Sequence, residues 1–376
     1  MSAVLDFLQA LVRTDTTPGN EREGIRRAAE EMRRLDFDDV RVDDHGNLIG
    51  RVGAASEPVL VIDGHIDTVP VYSPEQWSQE PLGGRILDGR LYGRGAADMK
   101  GGIASFVHAG GQLVRRRPSL HGCVLFVVSI AEETLEGASL ARSFDRRQID
   151  WCVIAEPTDL SIATAQRGRA RVEVVITGRS AHAANSARGV NAAAQMALLA
   201  ERVRVMDHPT HGVLGAQDIN LIDIHSEPYP SISTIPYRCT ARFDVRFLPG
   251  ESPEALLELF RTLVPDGAAA QVGFAPAEFE SYTGERYLAE DLAVAWETPR
   301  DSALLAAART ALRAPLTPYG FCTNGSYFAG VRGVPTVGYG PGSADQAHVV
   351  DEHVPLGEVE SAVGGYRALI ETLLAS

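Results

Sequence analysis

Apolar residues at Val4, Phe7, Leu8 and Leu11 recur with a helical period at the start of the chain. From there to about residue 165, helical patterns alternate with short continuous apolar runs. The readings are a helix over 20–35, a strand over 58–64, a helix over 99–116, and strands over 122–130 and 151–155. Continuous apolar runs of that length suit strands covered on both faces. The alternation therefore predicts an α/β unit with a mostly parallel sheet under helices.

The period then changes. Ala170, Val172, Val174 and Ile176 alternate with Arg171, Glu173, Val175 and Thr177, as in a strand with one face buried more firmly. A helical stretch over 190–206 and an extended run near 218–225 follow. The clearest period-two segment comes next, with Ile235, Tyr237, Cys239, Ala241, Phe243, Val245 and Phe247 on one face and Arg238, Thr240, Arg242, Asp244 and Arg246 on the other. Ser252 and Pro253 open a further helix as cap and first position, and an extended stretch closes the region near 280. The order β-α-β-β-α-β predicts an α+β split-βαβ, ferredoxin-like unit. Helix–strand alternation then resumes, with a helix over 302–313, a strand over 334–339 and a last helix carrying Val359, Val363, Tyr366, Ile370 and Leu373.

Composition adds limits. With 376 residues the chain has room for two domains, and 45% hydrophobic with 22% charged residues is ordinary for a folded enzyme. A formal charge of −14 argues against nucleic acid or anionic membrane as a partner. The single basic run, Arg115-Arg116-Arg117 before Pro118, closes a helical pattern where cations suit the helix end. No stretch approaches the roughly 18 apolar residues of a membrane span, and the amino-terminal pattern is amphipathic, so a cytoplasmic address is expected. Cys123, Cys152, Cys239 and Cys322 lack paired spacing and read as free, mostly buried thiols.

Candidate chemistry gathers at strand ends. The run Pro58–Asp63 delivers His65 and Asp67 to its carboxyl end, where α/β proteins build sites, and residues two apart on extended backbone share a side. Asp67 is thereby expected to hold the ring nitrogen of His65 that faces away from a metal. Taken alone, this string also reads as a surface turn. Gly93 to Gly102 does not have phosphate-loop spacing; its glycines allow a tight bend around Asp98, so that one carboxylate can face two ions. Glu132-Glu133 and Glu156-Pro157 each end an apolar strand. Adjacent side chains diverge, so one glutamate can bind metal while its neighbour holds water as a general base.

Together these strings resemble the M20 family of dinuclear metallohydrolases, acetylornithine deacetylases and succinyl-diaminopimelate desuccinylases among them, over nearly the whole chain. The resemblance implies that His65, Asp98 (bridging), Glu133, Glu156 and His348 bind two divalent ions, Zn2+ first and Co2+ or Mn2+ next. It makes Glu132 the general base and Asp67 the partner of His65, and it implies a cis Asp98–Met99 peptide. Since His348 lies far beyond the other ligands, residues 1–167 and 285–376 are expected to form one catalytic domain, with 168–284 inserted as a lid and dimerisation domain.

Two residues of the insertion take part in the resemblance. His182, in Gly178-Arg179-Ser180-Ala181-His182, resembles a histidine that reaches the reacting carbonyl from a partner subunit, and it also reads as a turn cap. Arg246 resembles an arginine that binds a substrate carboxylate, and it also reads as part of a solvated strand face beside Arg238 and Arg242. Glu156-Pro157-Thr158, Gln166-Arg167-Gly168-Arg169 and Thr323-Asn324-Gly325-Ser326 place the chain nearest the YgeY-like branch, with Asn324 and Gly325 expected at the substrate. The implied activity is hydrolysis of an amide in a small N-acyl amino acid. A dipeptidase or carboxypeptidase activity is the alternative, and a catalytically silent dimeric binding protein is the remote one. A homodimer, with no nucleic acid or membrane partner, completes the expectation.

Overall fold

The computed structural model describes residues 2–116 and 119–374, so Arg117 and Pro118 of the basic run lie outside the described residues. Two compact units divide the chain: Met1–Gln166, Glu278–Tyr287 and Glu297–Ser376 form one, and Arg167–Ala277 with Leu288–Trp296 form the other.

The larger unit is built on a mixed, mostly parallel nine-stranded sheet. Its middle strands run in the order Leu48–Gly53, Cys123–Ser129, Val59–His65, Trp151–Ile154 and Thr336–Gly338. Every residue of Val59–His65 and of Cys123–Ser129 is buried, which is why Val59–Ile62 and Cys123–Val128 read as unbroken apolar runs. Helices Gly101–Arg116 and Leu356–Leu374 help cover this sheet, with Ile103, Phe106, Tyr366 and Ile370 in one core with Leu60 and Phe126. Each such fully buried side chain contributes roughly 1.5–3 kcal/mol.

Strand register decides what meets at the carboxyl edge. His65 lies opposite Ser129, and Asp63 opposite Ile154. Glu132, Glu133 and Glu156 follow just past those partners, so the ends of the parallel strands converge on His65.

The smaller unit holds an antiparallel sheet in the order Asp218–Glu227, Arg238–Phe247, Gly168–Thr177 and Ala269–Phe274, with the short Leu292–Ala293 strand also on Gly168–Thr177. Helices Ala192–Val205 and Pro253–Leu263 complete the β-α-β-β-α-β order, and Ser252 Oγ accepts from Ala255 N at 3.1 Å as the expected cap. Val172, Val174, Phe243 and Val245 face a core shared with Met196, Leu199 and Phe260. The fourth main strand is Ala269–Phe274, whereas the extended stretch near 280 pairs with Arg286–Glu290 as a separate hairpin. Pro276, which has no N–H to donate, opens the strand Pro276–Glu280 of that hairpin. No helix among the described residues is long and apolar enough to cross a membrane. Cys123, Cys152 and Cys239 are buried free thiols, and Cys322 is half-buried.

Candidate metal centre

His65 is the hub of a buried cluster. Its Nε2 lies 3.1 Å from Asp98 Oδ1, 3.3 Å from Glu156 Oε1 and 3.8 Å from Glu132 Oε2. On the far side, His348 Nε2 lies 3.0 Å from Glu133 Oε1 and 3.4 Å from Asp98 Oδ2. Asp98 thus offers one oxygen toward each imidazole, the arrangement expected of a bridging carboxylate. His65 with Glu132 and Glu156, and His65 with Asp98 and Glu133, each place ligand atoms within 4.8 Å of one another. Glu132 and Glu133 fall into different groups because the chain turns ahead of them, with Ala131 at φ 60°.

Local backbone explains how Asp98 arrives. Gly95 adopts φ +79°, and a Cβ there would stand 2.5 Å from Thr68 Cγ2. The Asp98–Met99 peptide is cis, as the family resemblance implies. Behind the loop stands a residue that sequence reading missed. Glu352, fully buried, accepts from Ala97 N at 3.0 Å and Asp98 N at 3.1 Å through Oε1, and from Arg94 Nη1 at 2.6 Å through Oε2. Arg94 in turn lies over the Trp77 ring at 5.3 Å. The only hint in the sequence is its place four residues after His348.

Asp67 departs in detail from its expected role. Its backbone carbonyl is 2.9 Å from His65 Nδ1, while its carboxylate oxygen is 3.6 Å away. The other carboxylate oxygen accepts from Glu133 N at 3.0 Å, so Asp67 secures the ring and the glutamate turn together.

Electrostatics show what the cluster can hold. Burial pushes Glu156 up to about 8, with the Asp98 charge adding to it, and burial raises Glu133 and, further, Glu132. Burial works against charging His65, but the fields of Glu156 and Glu132 outweigh it and raise the imidazole. Hydrogen bonds to Asp98 and Glu133 raise His348 to about 10. Glu132 Oε1 and Glu156 Oε2 are buried with no hydrogen-bond partner. Four crowded carboxylates, orphaned oxygens and two imidazoles fit divalent cations, which would neutralise the group without protonating it.

Other expected site residues are placed differently. His182 is exposed in the smaller unit and accepts from Ala184 N at 3.1 Å, capping the turn at Ala183–Arg188. Arg246 Nε lies 2.7 Å from Asp244 Oδ1, an ion pair within one strand. Asn324 and Gly325, expected at the substrate, are buried and bonded within the chain. Asn324 donates to Asp63 Oδ2 at 2.9 Å and Ser129 Oγ at 3.0 Å and accepts from Gly137 N at 2.7 Å; Gly325 N donates to Thr323 Oγ1 at 3.0 Å. The sequence string showed polar residues and a glycine but not that their partners lie within the chain.

Comparison with known proteins supplies context for this geometry. The profile of peptidase family M20/M25/M40 matches residues 61–372. The uncharacterized protein YgeY of Escherichia coli K12 is 28% identical over 381 residues, covering 98% of this chain and 94% of that protein. A succinyl-diaminopimelate desuccinylase of Stenotrophomonas maltophilia K279a is 30% identical over 388 residues, covering 100% of both. Among solved structures, the Bacillus subtilis YXEP protein, described as a dinuclear metal binding peptidase from the M20 family, superposes with a TM-score of 0.72. It has 16% identity and covers 98% of this chain and 96% of that one. A match of that extent, over a cluster of buried carboxylates with one buried and one exposed imidazole, makes this chain a hydrolase of peptidase family M20/M25/M40.

Proposed function

We propose that this protein removes the acyl group from a small N-acyl amino acid, using two divalent ions held by His65, Asp98, Glu133, Glu156 and His348. The observation that carries the reading is the convergence of these donors on Asp98 and the strand end at His65, with a buried Glu156 oxygen left unpartnered. Imidazole and carboxylate donors suit zinc, with cobalt or manganese as substitutes. When bound, such ions polarise an amide carbonyl and make water acidic enough to attack it.

The chain's own groups complete the chemistry. Glu132, held among apolar surroundings and repelled by Glu156, has the raised proton affinity of a general base. In this reading it takes the proton of the attacking water and delivers it to the leaving nitrogen. Asp67 fixes the tautomer of His65 through the Nδ1 contact. Because His182 Nδ1 accepts from an amide, its proton sits on Nε2, which suits it to donate to a developing oxyanion. Arg246 serves as anchor for the substrate carboxylate.

A homodimer through the smaller unit belongs to the same proposal. Strand Asp218–Glu227 is an edge of its sheet, with Leu221, Ile222 and Ile224 exposed by 43%, 51% and 51%. An edge strand with exposed apolar side chains offers a surface for pairing with a second copy.

The full-length desuccinylase relative supports deacylation over peptide cleavage. A panel of N-succinyl and N-acetyl amino acids against dipeptides, with zinc- or cobalt-loaded protein, tests the choice. Preference for dipeptides would select the peptidase alternative. In Glu132→Gln, metal content should stay unchanged while kcat falls about 10²- to 10⁴-fold; near-normal turnover would remove the base assignment.

A further inference from the structure

The turn at Thr323–Ser326 holds a buried polar knot beneath the candidate metal centre. Both amide hydrogens of Asn324 are donated, one to Asp63 Oδ2 at 2.9 Å and the other to Ser129 Oγ at 3.0 Å, and its carbonyl accepts from Gly137 N at 2.7 Å. Asp63 and Ser129 are 1% and 0% exposed and Asn324 is 3% exposed, so no water competes for these bonds. The turn is tied on its other side too, since Thr323 Oγ1 donates to Gln166 Oε1 at 2.7 Å and Gln166 Nε2 donates to Ser326 Oγ at 2.8 Å.

Each partner of Asn324 leads directly to a donor of the cluster. Asp63 is two residues before His65, and its backbone carbonyl accepts from Ala155 N at 2.9 Å, immediately before Glu156. Ser129 lies opposite His65, accepts from Ile66 N at 2.9 Å, and stands three residues before Glu132. Gly137 ends the turn that follows Glu132 and Glu133. A single side chain therefore bonds the segments that carry His65, Glu132 and Glu133, and through Asp63 it is one step from the strand that carries Glu156.

We propose that Asn324 is a positioning residue, which sets the spacing of the strand ends carrying His65 and the glutamates through Asp63, Ser129 and Gly137. The inference rests on the metal-centre reading above. It makes the Thr323–Ser326 turn a determinant of ligand geometry, not of substrate contact. Groups that orient metal ligands typically change metal affinity or activity by about 10- to 100-fold when lost.

The exchange of partners supplies the test. Asn324→Asp alone sets a second carboxylate against Asp63. Asp63→Asn combined with Asn324→Asp restores complementarity, because the new carboxylate accepts from Gly137 N, from the new amide and from the Ser129 hydroxyl. Wild type and both variants are loaded with cobalt(II) chloride, and the visible cobalt absorption, circular dichroism, and kcat and KM on N-succinyl and N-acetyl amino acids are recorded.

The single variant should show an altered cobalt spectrum and a kcat lowered about 10- to 100-fold, with KM within about threefold of wild type. The exchanged variant should recover both spectrum and kcat. A rise in KM at unchanged kcat, an unchanged spectrum in the single variant, or an exchanged variant that folds yet stays as impaired as the single one overturns the proposal. If the single variant does not fold, the exchanged one decides alone: wild-type spectrum and kcat support the proposal, and anything less overturns it. Failure of the underlying reading shows separately, as wild-type protein that takes up no cobalt.

Discussion

Removing the Glu352 carboxylate by Glu352→Ala should loosen the loop that presents Asp98. In the native state this side chain accepts from Arg94 Nη1 at 2.6 Å, Ala97 N at 3.0 Å and Asp98 N at 3.1 Å, with Arg94 only 3% exposed. Truncation leaves a buried guanidinium without its partner, which costs about 3–5 kcal/mol, and frees two amides at about 1 kcal/mol each. These losses overlap, because water entering the gap would serve more than one donor, so about 4 kcal/mol is expected. Glu352→Gln keeps an acceptor for the amides but turns an NH2 toward Arg94, and about half that loss is expected. Burial raises the Glu352 carboxyl to about 7 against the lowering effect of Arg94, so the comparison belongs at pH 8, where it is ionised. Hydrogen exchange of a peptide spanning residues 93–101 reads the local opening directly and needs no two-state assumption for the two-unit chain. A loss of about 4 kcal/mol corresponds to roughly 10³-fold faster exchange. An acceleration below about tenfold in Glu352→Ala would show that the clamp does not hold this loop, and would refute the reasoning.

Chelation with EDTA should abolish hydrolysis, and added zinc or cobalt should restore it; retained activity at full metal depletion would rule out the metal reading. Metal-free protein should lose stability as pH rises from about 4.5 to about 8. Glu156 is raised to about 8, so the folded state binds its proton more tightly than the unfolded chain does, and that advantage disappears as pH passes the folded value. Urea titrations at pH 5 and pH 8 should show this fall without metal and a much smaller one with it. At Glu31 the sign is opposite: burial would raise the carboxyl, but the Arg34 hydrogen bonds and His108, whose Nε2 lies 2.9 Å away, prevail and hold it at about 2. Its stabilisation is present above about pH 4.5 and is lost as pH falls toward 2, so Glu31→Gln should destabilise by on the order of 1 kcal/mol at neutral pH, after allowance for partial exposure, and flatten the acid limb of unfolding. Paired substitutions Leu221→Lys and Ile224→Lys on the exposed edge strand should convert a dimer to a monomer in light scattering with unchanged circular dichroism; a dimer that persists would place the interface elsewhere.

Much of the architecture was legible in the sequence, because burial imposes periods that a chain cannot hide. Val59–Ile62 and Cys123–Val128 are unbroken apolar runs because both faces are covered, and Gly168–Thr177 and Arg238–Phe247 alternate because one face is. Motif strings at strand ends likewise marked His65, Glu132, Glu133 and Glu156, since a polar residue following an apolar strand needs a partner; a glycine-flanked bend marked Asp98, and the family resemblance supplied His348. Hydrogen-bond partners are another matter, because they depend on register and on contacts hundreds of residues apart. Only the tertiary structure brought Glu352 against the amides of Ala97 and Asp98, gave the backbone carbonyl of Asp67 to His65, and turned Asn324 inward onto Asp63 and Ser129. The sequence by itself determined which groups could carry the chemistry; strand register and long-range hydrogen bonding decided how they are held.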